Sequence, residues 1–338
     1  TEELWFDSDR TAIVRLRLVN SGQRAVSIPV VVSGSVFPDI ASLEASEGGV
    51  LARTVDGQVV RVDAEAAAQI DGNTYRLSLG RLEIPSDSER SVSITVSWGL
   101  DTAPEPPNLV VDESFEQNRG RWARYLDAVP AGAEASRRVL AAKAIQTLVN
   151  NWRAPTGRMR YSALFPSSNV DYFNGFWAWD SWKHAVGLVR FDPDVAKDQV
   201  RAMFDHQDET GMIADVVYLD PSEDNWRDTK PPLAGWAIEA ILDRTGDVDF
   251  VRELYPKLVA YHAFWYASRD HDGDGLCEYG STDGTLEAAR WESGMDNAVR
   301  FDDATMLENG PRAWSMNQES VDLNSYLYLE KRALGALA

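Results

Sequence analysis

Residues 289–298 read ARWESGMDNA, which sets two carboxylates, Glu292 and Asp296, four positions apart, beside Trp291 and around Gly294. Ionising a carboxyl group against apolar bulk is unfavourable. An acid placed there keeps its proton and can deliver it to a leaving group. The plainer alternative is an acidic surface loop.

Two further stretches mix aromatic rings with charge. NGFWAWDSWKH places Trp177, Trp179 and Trp182 around Asp180 and Lys183. Sugar faces stack on aromatic rings while carboxylate and ammonium groups hydrogen-bond their hydroxyls, so this combination suits carbohydrate. Against it stands Asp180 as a helix N-cap with the tryptophans in the core. NWRDTKPPLAGW runs a polar loop into a proline-initiated helix. The plain reading is a capped helix with Trp236 in the core; the alternative is that Arg227 and Lys230 meet a substrate hydroxyl or hold a catalytic carboxylate.

RDHDGDGLCEYG has the pattern of a calcium loop. Asp270, Asp272 and Asp274 stand at alternate positions, Gly275 supplies the turn and Leu276 offers its carbonyl. Ser281 occupies the position where an EF-hand carries its closing glutamate, so a distant acid has to complete the shell. The alternative is a solvated acidic turn.

Other chemistries are excluded. No GxSxG elbow, phosphate loop, HExxH or GxGxxG occurs, and His184, His206, His262 and His271 are scattered. With 33 Lys and Arg against 53 Asp and Glu the net charge is −20, which opposes binding to phosphate backbones and anionic bilayers. Neither nucleic acid nor membrane is an expected partner. Cys277 is the only cysteine, so neither an internal disulfide framework nor a cysteine zinc cluster exists. No apolar run reaches the roughly 18 residues of a membrane span. The chain opens without Met or a signal peptide, so compartment is not read from its start; a calcium loop leans towards an extracytoplasmic home.

The elements fall into two kinds. TAIVRLRLV, TYRLSLG and SVSITVSW alternate with period two, predicting an antiparallel β-sandwich. In the first of these Ala12, Val14, Leu16 and Leu18 face inwards, opposite Arg15 and Arg17. The proline-rich DTAPEPPN ends that pattern as a stiff linker. Beyond it the period is helical. A stripe of Ala141, Ile145, Leu148 and Trp152 predicts one helix. Asp192 and Pro193 start a second, prolines start a third that stops at Gly246, and Leu258, Tyr261 and Trp265 mark a fourth. A last helix spans roughly 319–337. The reading is six or seven helices joined by long loops, with residues 1–112 as the β domain plus linker and 113–338 as a helical domain.

In order and approximate spacing, GFWAWDSWKH, a TKPPL stretch with Asp228 where the pattern has Asn, YPKLVAYHAFW, RDHDGDGLCEYG, WESGMDNA and QESVDLNSY resemble glycoside hydrolase family 63, nearest its bacterial α-glucosidases. The resemblance covers 151 to 338; the β domain matches only in kind. It implies part of an (α/α)6 barrel behind the sandwich, inverting hydrolysis of α-glucosidic bonds and no organic cofactor. Asp296 would be the general acid, with Trp291, Met295 and Glu292 raising its pKa. Trp177, Trp179, Asp180 and Lys183 would bind the glucosyl ring, with Lys230, Trp236, Trp291, Glu292 and Gly294 completing the set. Asp270, Asp272, Asp274 and Leu276 would hold a structural Ca2+, with Glu319 as the remote ligand. Inversion needs a second carboxylate as base, and no residue here matches that motif. About half of a barrel's twelve helices are present, so the expectation is a second polypeptide or a further segment completing it. The expectation from another class is a non-catalytic carbohydrate-binding subunit; a third is a sugar-blind, calcium-stabilised interaction domain.

Overall fold

A computed structural model describes residues 1–37, 39, 41–130 and 132–338. The chain divides into two compact units, Thr1–Arg124 and Tyr125–Ala338.

The first unit is built from nine antiparallel strands: β1 (Glu2–Phe6), β2 (Thr11–Asn20), β3 (Val26–Ser35), β4 (Ala41–Ser46), β5 (Gly49–Thr54), β6 (Gln58–Asp63), β7 (Ala68–Asp71), β8 (Thr74–Ile84) and β9 (Ser88–Leu100). They form a six-stranded sheet in the order β1-β2-β9-β6-β5-β4 and a three-stranded sheet β3-β8-β7. Leu77 of β8 and Ile94 of β9 are buried in a core joined by Val14, Val32 and Val62, so both sheets contribute to it. The expected alternation holds, with one revision. Ile13 and Arg15, on the face opposite Val14 and Leu16, are also buried. A helix, α1 (Val111–Asp127), covers them with its first turns. Trp5 Nε1 donates to Ser114 Oγ at 2.9 Å. The Arg15 guanidinium lies 4.5 Å from the Phe115 ring centroid and pairs with Asp112 at 2.7 Å. The first compact unit therefore takes in most of α1, to Arg124.

The second unit holds the remaining helices: α2 (Ala135–Asn150), α3 (Ala178–Leu188), α4 (Pro193–Phe204), α5 (Ala234–Thr245), α6 (Val248–Ser268), α7 (Leu286–Glu292) and α8 (Val321–Leu337). Their apolar faces meet in one core that includes Trp182, Val200, Phe204, Ile238, Leu258, Tyr261, Trp265 and Leu323. Local signals set the boundaries. The Asp192 carboxylate accepts from Val195 N with Pro193 in the first turn, as expected for α4. Gly246, at φ 68°, closes α5 in the left-handed conformation that favours glycine.

Two boundaries differ from the reading of the sequence. Pro231 and Pro232 lie before α5 in irregular backbone, because residues ahead of a proline avoid the helical region. Trp152 lies beyond α2, in a two-residue strand paired with Ala163–Leu164. Eight α-helices occur among the described residues, one more than the upper expectation. None of them is long and apolar enough to cross a membrane.

Candidate functional site

The surface around the N-terminal half of α3 gathers most of the residues selected from the sequence. Trp177, in extended backbone, stands at the N-cap without a side-chain cap bond, so Asp180 is a first-turn acid and not the cap. A carboxylate there is favoured by the helix dipole. The three tryptophans divide by helical phase. Trp182 is fully buried in the core, whereas Trp177 and Trp179 are half-buried. Trp179 and Lys183, four residues apart on one helix face, are stacked: Lys183 Nζ lies 3.2 Å from the Trp179 ring centroid. Burial raises the pKa of Asp180, opposed by Lys183 and Lys230, and burial lowers that of Lys183, opposed by Asp180.

The segment after α7 packs on this surface. Gly294 has φ 66°, and a Cβ there would lie 2.4 Å from two carbons of the Trp179 indole. Trp291 is half-buried and stacked under Arg227, whose guanidinium carbon lies 4.9 Å from its ring centroid. The surroundings expected of Asp296 are not found. Asp296 is exposed, Met295 is 52% exposed, and Glu292 is turned inwards. Asp296 thus stands at the surface and not in an apolar enclosure.

Glu292, expected to bind sugar, is instead part of the frame. It is fully buried and takes both arms of Arg269, Nε to Oε1 and Nη2 to Oε2, each at 2.8 Å. Gly280 N donates to its Oε1 at 2.6 Å and Thr229 N to its Oε2 at 3.3 Å. Those donors occupy both oxygens and leave none for a substrate. Lys230 likewise has its partners within the frame. Its ammonium is buried between Asp215 (3.0 Å) and Asp228 (3.2 Å) and donates to the Trp291 carbonyl. Its link to the α3 surface is the Trp177 ring, 5.8 Å away. Trp236 packs against the hydrophobic core from α5.

Asp215, Arg269 and Asn225 were not selected from the sequence. The signal for Asp215 was present: it interrupts the wholly buried run from Met212 to Val217, and an acid inside such a run needs a partner.

The acidic loop has the oxygens a hard cation requires. Carboxylate oxygens of Asp270, Asp272 and Asp274 lie within 4.8 Å of one another. Gly273 and Gly275 turn the chain at φ 75° and 90°. Amides of Gly273 and Gly275 donate to the two Asp270 oxygens at 2.9 and 3.0 Å, which aims that carboxylate at the loop centre. Leu276 is in sequence with them, its amide bonded to Asp274 Oδ1. Glu319, exposed just before α8, does not join this group.

A hollow of about 650 Å³ lies among α2, α3 and α5 and is lined by Ala144, Leu148, Val186, Phe191 and Ala240; none of the candidate sugar- or metal-binding residues lines it.

Residues 172–338 match the family profile described as a mannosylglycerate hydrolase MGH1-like glycoside hydrolase domain. Among curated proteins, the mannosylglycerate hydrolase MGH1 of Selaginella moellendorffii is 30% identical over 148 residues, covering 38% of this chain and 29% of that protein. The mannosylglycerate hydrolase of Thermus thermophilus is 30% identical over 148 residues, covering 37% of this chain and 34% of that enzyme. The chain therefore spans about a third of the length of these relatives. A crystal structure of a family 63 mannosylglycerate hydrolase from Thermus thermophilus with Tris aligns at 25% identity and a TM-score of 0.41, over 48% of this chain and 40% of that one.

Proposed function

We propose that the chain, whose residues 172–338 match a mannosylglycerate hydrolase MGH1-like glycoside hydrolase domain, is a glycoside hydrolase of family 63 that hydrolyses an α-linked hexoside, with a hexosyl glycerate as the first substrate class to examine and simple α-glucosides as the second. The names of the curated relatives support the glycerate conjugate; the resemblance to bacterial α-glucosidases supports the simple glucoside. One observation carries the reading. The segment ending in Asp296 is packed on the aromatic and charged surface of α3 through Gly294 and Trp179, which supports a reading in which the Asp296 carboxyl serves as proton donor to a sugar on that surface.

In this proposal the hexosyl ring lies on Trp179, with Asp180 and Lys183 hydrogen-bonding its hydroxyls. Asp296 donates its proton to the glycosidic oxygen as the bond to the anomeric carbon breaks, and a water attacks the anomeric carbon from the opposite face, its surplus proton passing to a base and so to solvent. No residue of this chain is assigned as the base. The substrate itself would provide the desolvation that holds the proton on the exposed Asp296 until transfer. Ca2+, held by Asp270, Asp272, Asp274 and the Leu276 carbonyl, would offset the repulsion within the acidic loop and stiffen it.

The test is hexose release from mannosyl glycerate, glucosyl glycerate and maltose by the protein and by Asp296→Asn. The variant is expected to lose turnover and still gain thermal stability from sugar. Unchanged kcat removes Asp296 from the mechanism. The exposure of Asp296 favours a second reading, a carbohydrate-binding protein without turnover. Saturable sugar binding with no hydrolysis of any of the three substrates selects it.

A further inference from the structure

The strongest unassigned feature is the group of charges beneath the α3 surface. Asp215 is 2% exposed and Asp228 is fully buried. Both face the same two polar groups, the Asn225 amide and the Lys230 ammonium. Asn225 Nδ2 donates to Asp215 Oδ2 at 3.0 Å and to Asp228 Oδ1 at 2.9 Å. Lys230 Nζ hydrogen-bonds Asp228 Oδ2 at 3.2 Å. It also stands 3.0 Å from Asp215 Oδ1, at an angle that leaves that buried oxygen without a hydrogen bond. The two carboxyl groups are thus held between one amide and one ammonium.

The neighbouring charges do not balance. Glu292 of α7 is already matched by Arg269, at the end of α6, and the charges of Asp180 and Lys183 on α3 offset each other. That leaves two acids for the single ammonium of Lys230, in a region closed to water. The other titratable groups facing the pair are the Tyr218 and Tyr261 phenols. A net buried negative charge is costly, and uptake of one proton removes it. Burial raises the pKa of both Asp215 and Asp228 in agreement, with each acid opposed by the Lys230 charge. Two sites this strongly linked titrate as a pair, so the proton belongs to both.

We infer that Asp215 and Asp228 share one proton and, through Lys230 and the Trp291 carbonyl it holds, act as positioning residues for the segment that carries Asp296. The positioning part rests on the reading of Asp296 given above; the shared proton does not. Loss of that proton leaves two buried anions on one ammonium, and strain then falls on the contacts of Lys230, including the one to Trp291.

The sign of the pH effect follows. Acids with raised folded pKa values bind more protons folded than unfolded, so their contribution to stability is full below the ordinary aspartate value of about 4 and is lost as pH rises through the folded value. Replacement by an amide mimics the protonated acid. Asp228→Asn is expected to melt within about a degree of the parent at pH 5 and several degrees above it at pH 8. Hydrogen exchange of the 291–296 segment, corrected for intrinsic rates, should quicken from pH 6 to pH 9 in the parent and not in Asp228→Asn. Asp228→Asn melting below the parent by the same amount at every pH would overturn the shared proton. A parent segment whose protection does not change with pH would overturn the positioning role. Neither readout needs hydrolysis, so a chain that proves inactive still tests the pair. An active chain with flat pH curves discards the pair and leaves Asp296 untouched.

Discussion

Gly294 is in van der Waals contact with the Trp179 indole, and a single added carbon would come 2.4 Å from that ring. Its φ of 66° independently favours glycine. The contact ties a loop on one side of the second unit to a helix 115 positions earlier, and it forces either the loop or the indole to move when a side chain appears.

Gly294→Ala is therefore expected to cost about 2 kcal/mol or more, since the left-handed backbone alone costs an L-residue roughly 1–2 kcal/mol. Gly294→Asn tests the two causes separately. Asparagine tolerates the backbone conformation but still carries a Cβ, so it should recover part of the stability and none of the sugar affinity. Thermal melting with and without hexose reads both. Full recovery of sugar binding by Asn would mean that contact with Trp179 does not matter.

Much of the frame was legible in the amino-acid sequence, and what was missed has physical causes. Period-two alternation marked β2, β8 and β9 because one face of each lies against a core. It did not reveal that the Ile13–Arg15 face is buried as well, since Arg15 looks solvated until Asp112 and Phe115 come across from α1. Cap chemistry is local, so Asp192–Pro193 and Gly246 fixed two boundaries. In the candidate site, residues whose role depends on short-range phase, Trp179, Asp180 and Lys183, were found together. Those whose role depends on distant partners were not: Glu292 read as a sugar ligand until Arg269, 23 residues away, took both its oxygens. The substitution of Asp228 for an expected asparagine was visible, but its partner Asp215 was hidden in an apolar run.

The Arg269–Glu292 pair supplies the next expectation. Both side chains are fully buried, and breaking such a pair by removing one partner costs about 3–5 kcal/mol because the remaining charge is left uncompensated. Arg269→Met should destabilise by that amount. The double variant Arg269→Met with Glu292→Gln should regain part of it, because no bare charge remains. A double-mutant cycle by chemical denaturation measures the coupling. Additive losses would show that the two groups act independently.

Calcium should act through the loop alone. A cation bound only by the folded chain stabilises it by roughly 2.7 kcal/mol at a concentration 100 times its Kd. Addition of millimolar Ca2+ after chelation is expected to raise the melting temperature, with Mg2+ much weaker because its coordination is tighter and more rigid. Asp272→Asn should abolish the increment while leaving the chelated protein unchanged or slightly steadier, since one of three mutually repelling carboxylates is gone. Glu319→Gln measures the remote ligand. A calcium increment that survives Asp272→Asn moves the ion elsewhere; one that survives only Glu319→Gln removes that residue from the shell.

The acid limb of stability should come in part from His184, the α3 residue beside Lys183. Burial first, and the Lys183 charge second, bring its pKa down from the ordinary 6.5 to about 4. A group whose folded pKa is depressed binds fewer protons folded than unfolded, so its contribution is complete above pH 6.5 and is lost as pH falls towards 4. A gap of this size corresponds to about 3 kcal/mol at most, at 1.36 kcal/mol for each pH unit. His184 Nδ1 is buried without a hydrogen-bond partner among the described residues, and the Leu164 carbonyl that the ring also meets keeps Gln199 Nε2 as a donor at 3.2 Å, so replacing the ring by a neutral side chain strands no buried polar group. His184→Leu should therefore give a shallower loss of melting temperature between pH 6.5 and 4 than the parent, whatever its stability at pH 7.5. Parallel curves for the two proteins over that interval would show that His184 is charged equally easily folded and unfolded, and that the acid sensitivity comes from other groups.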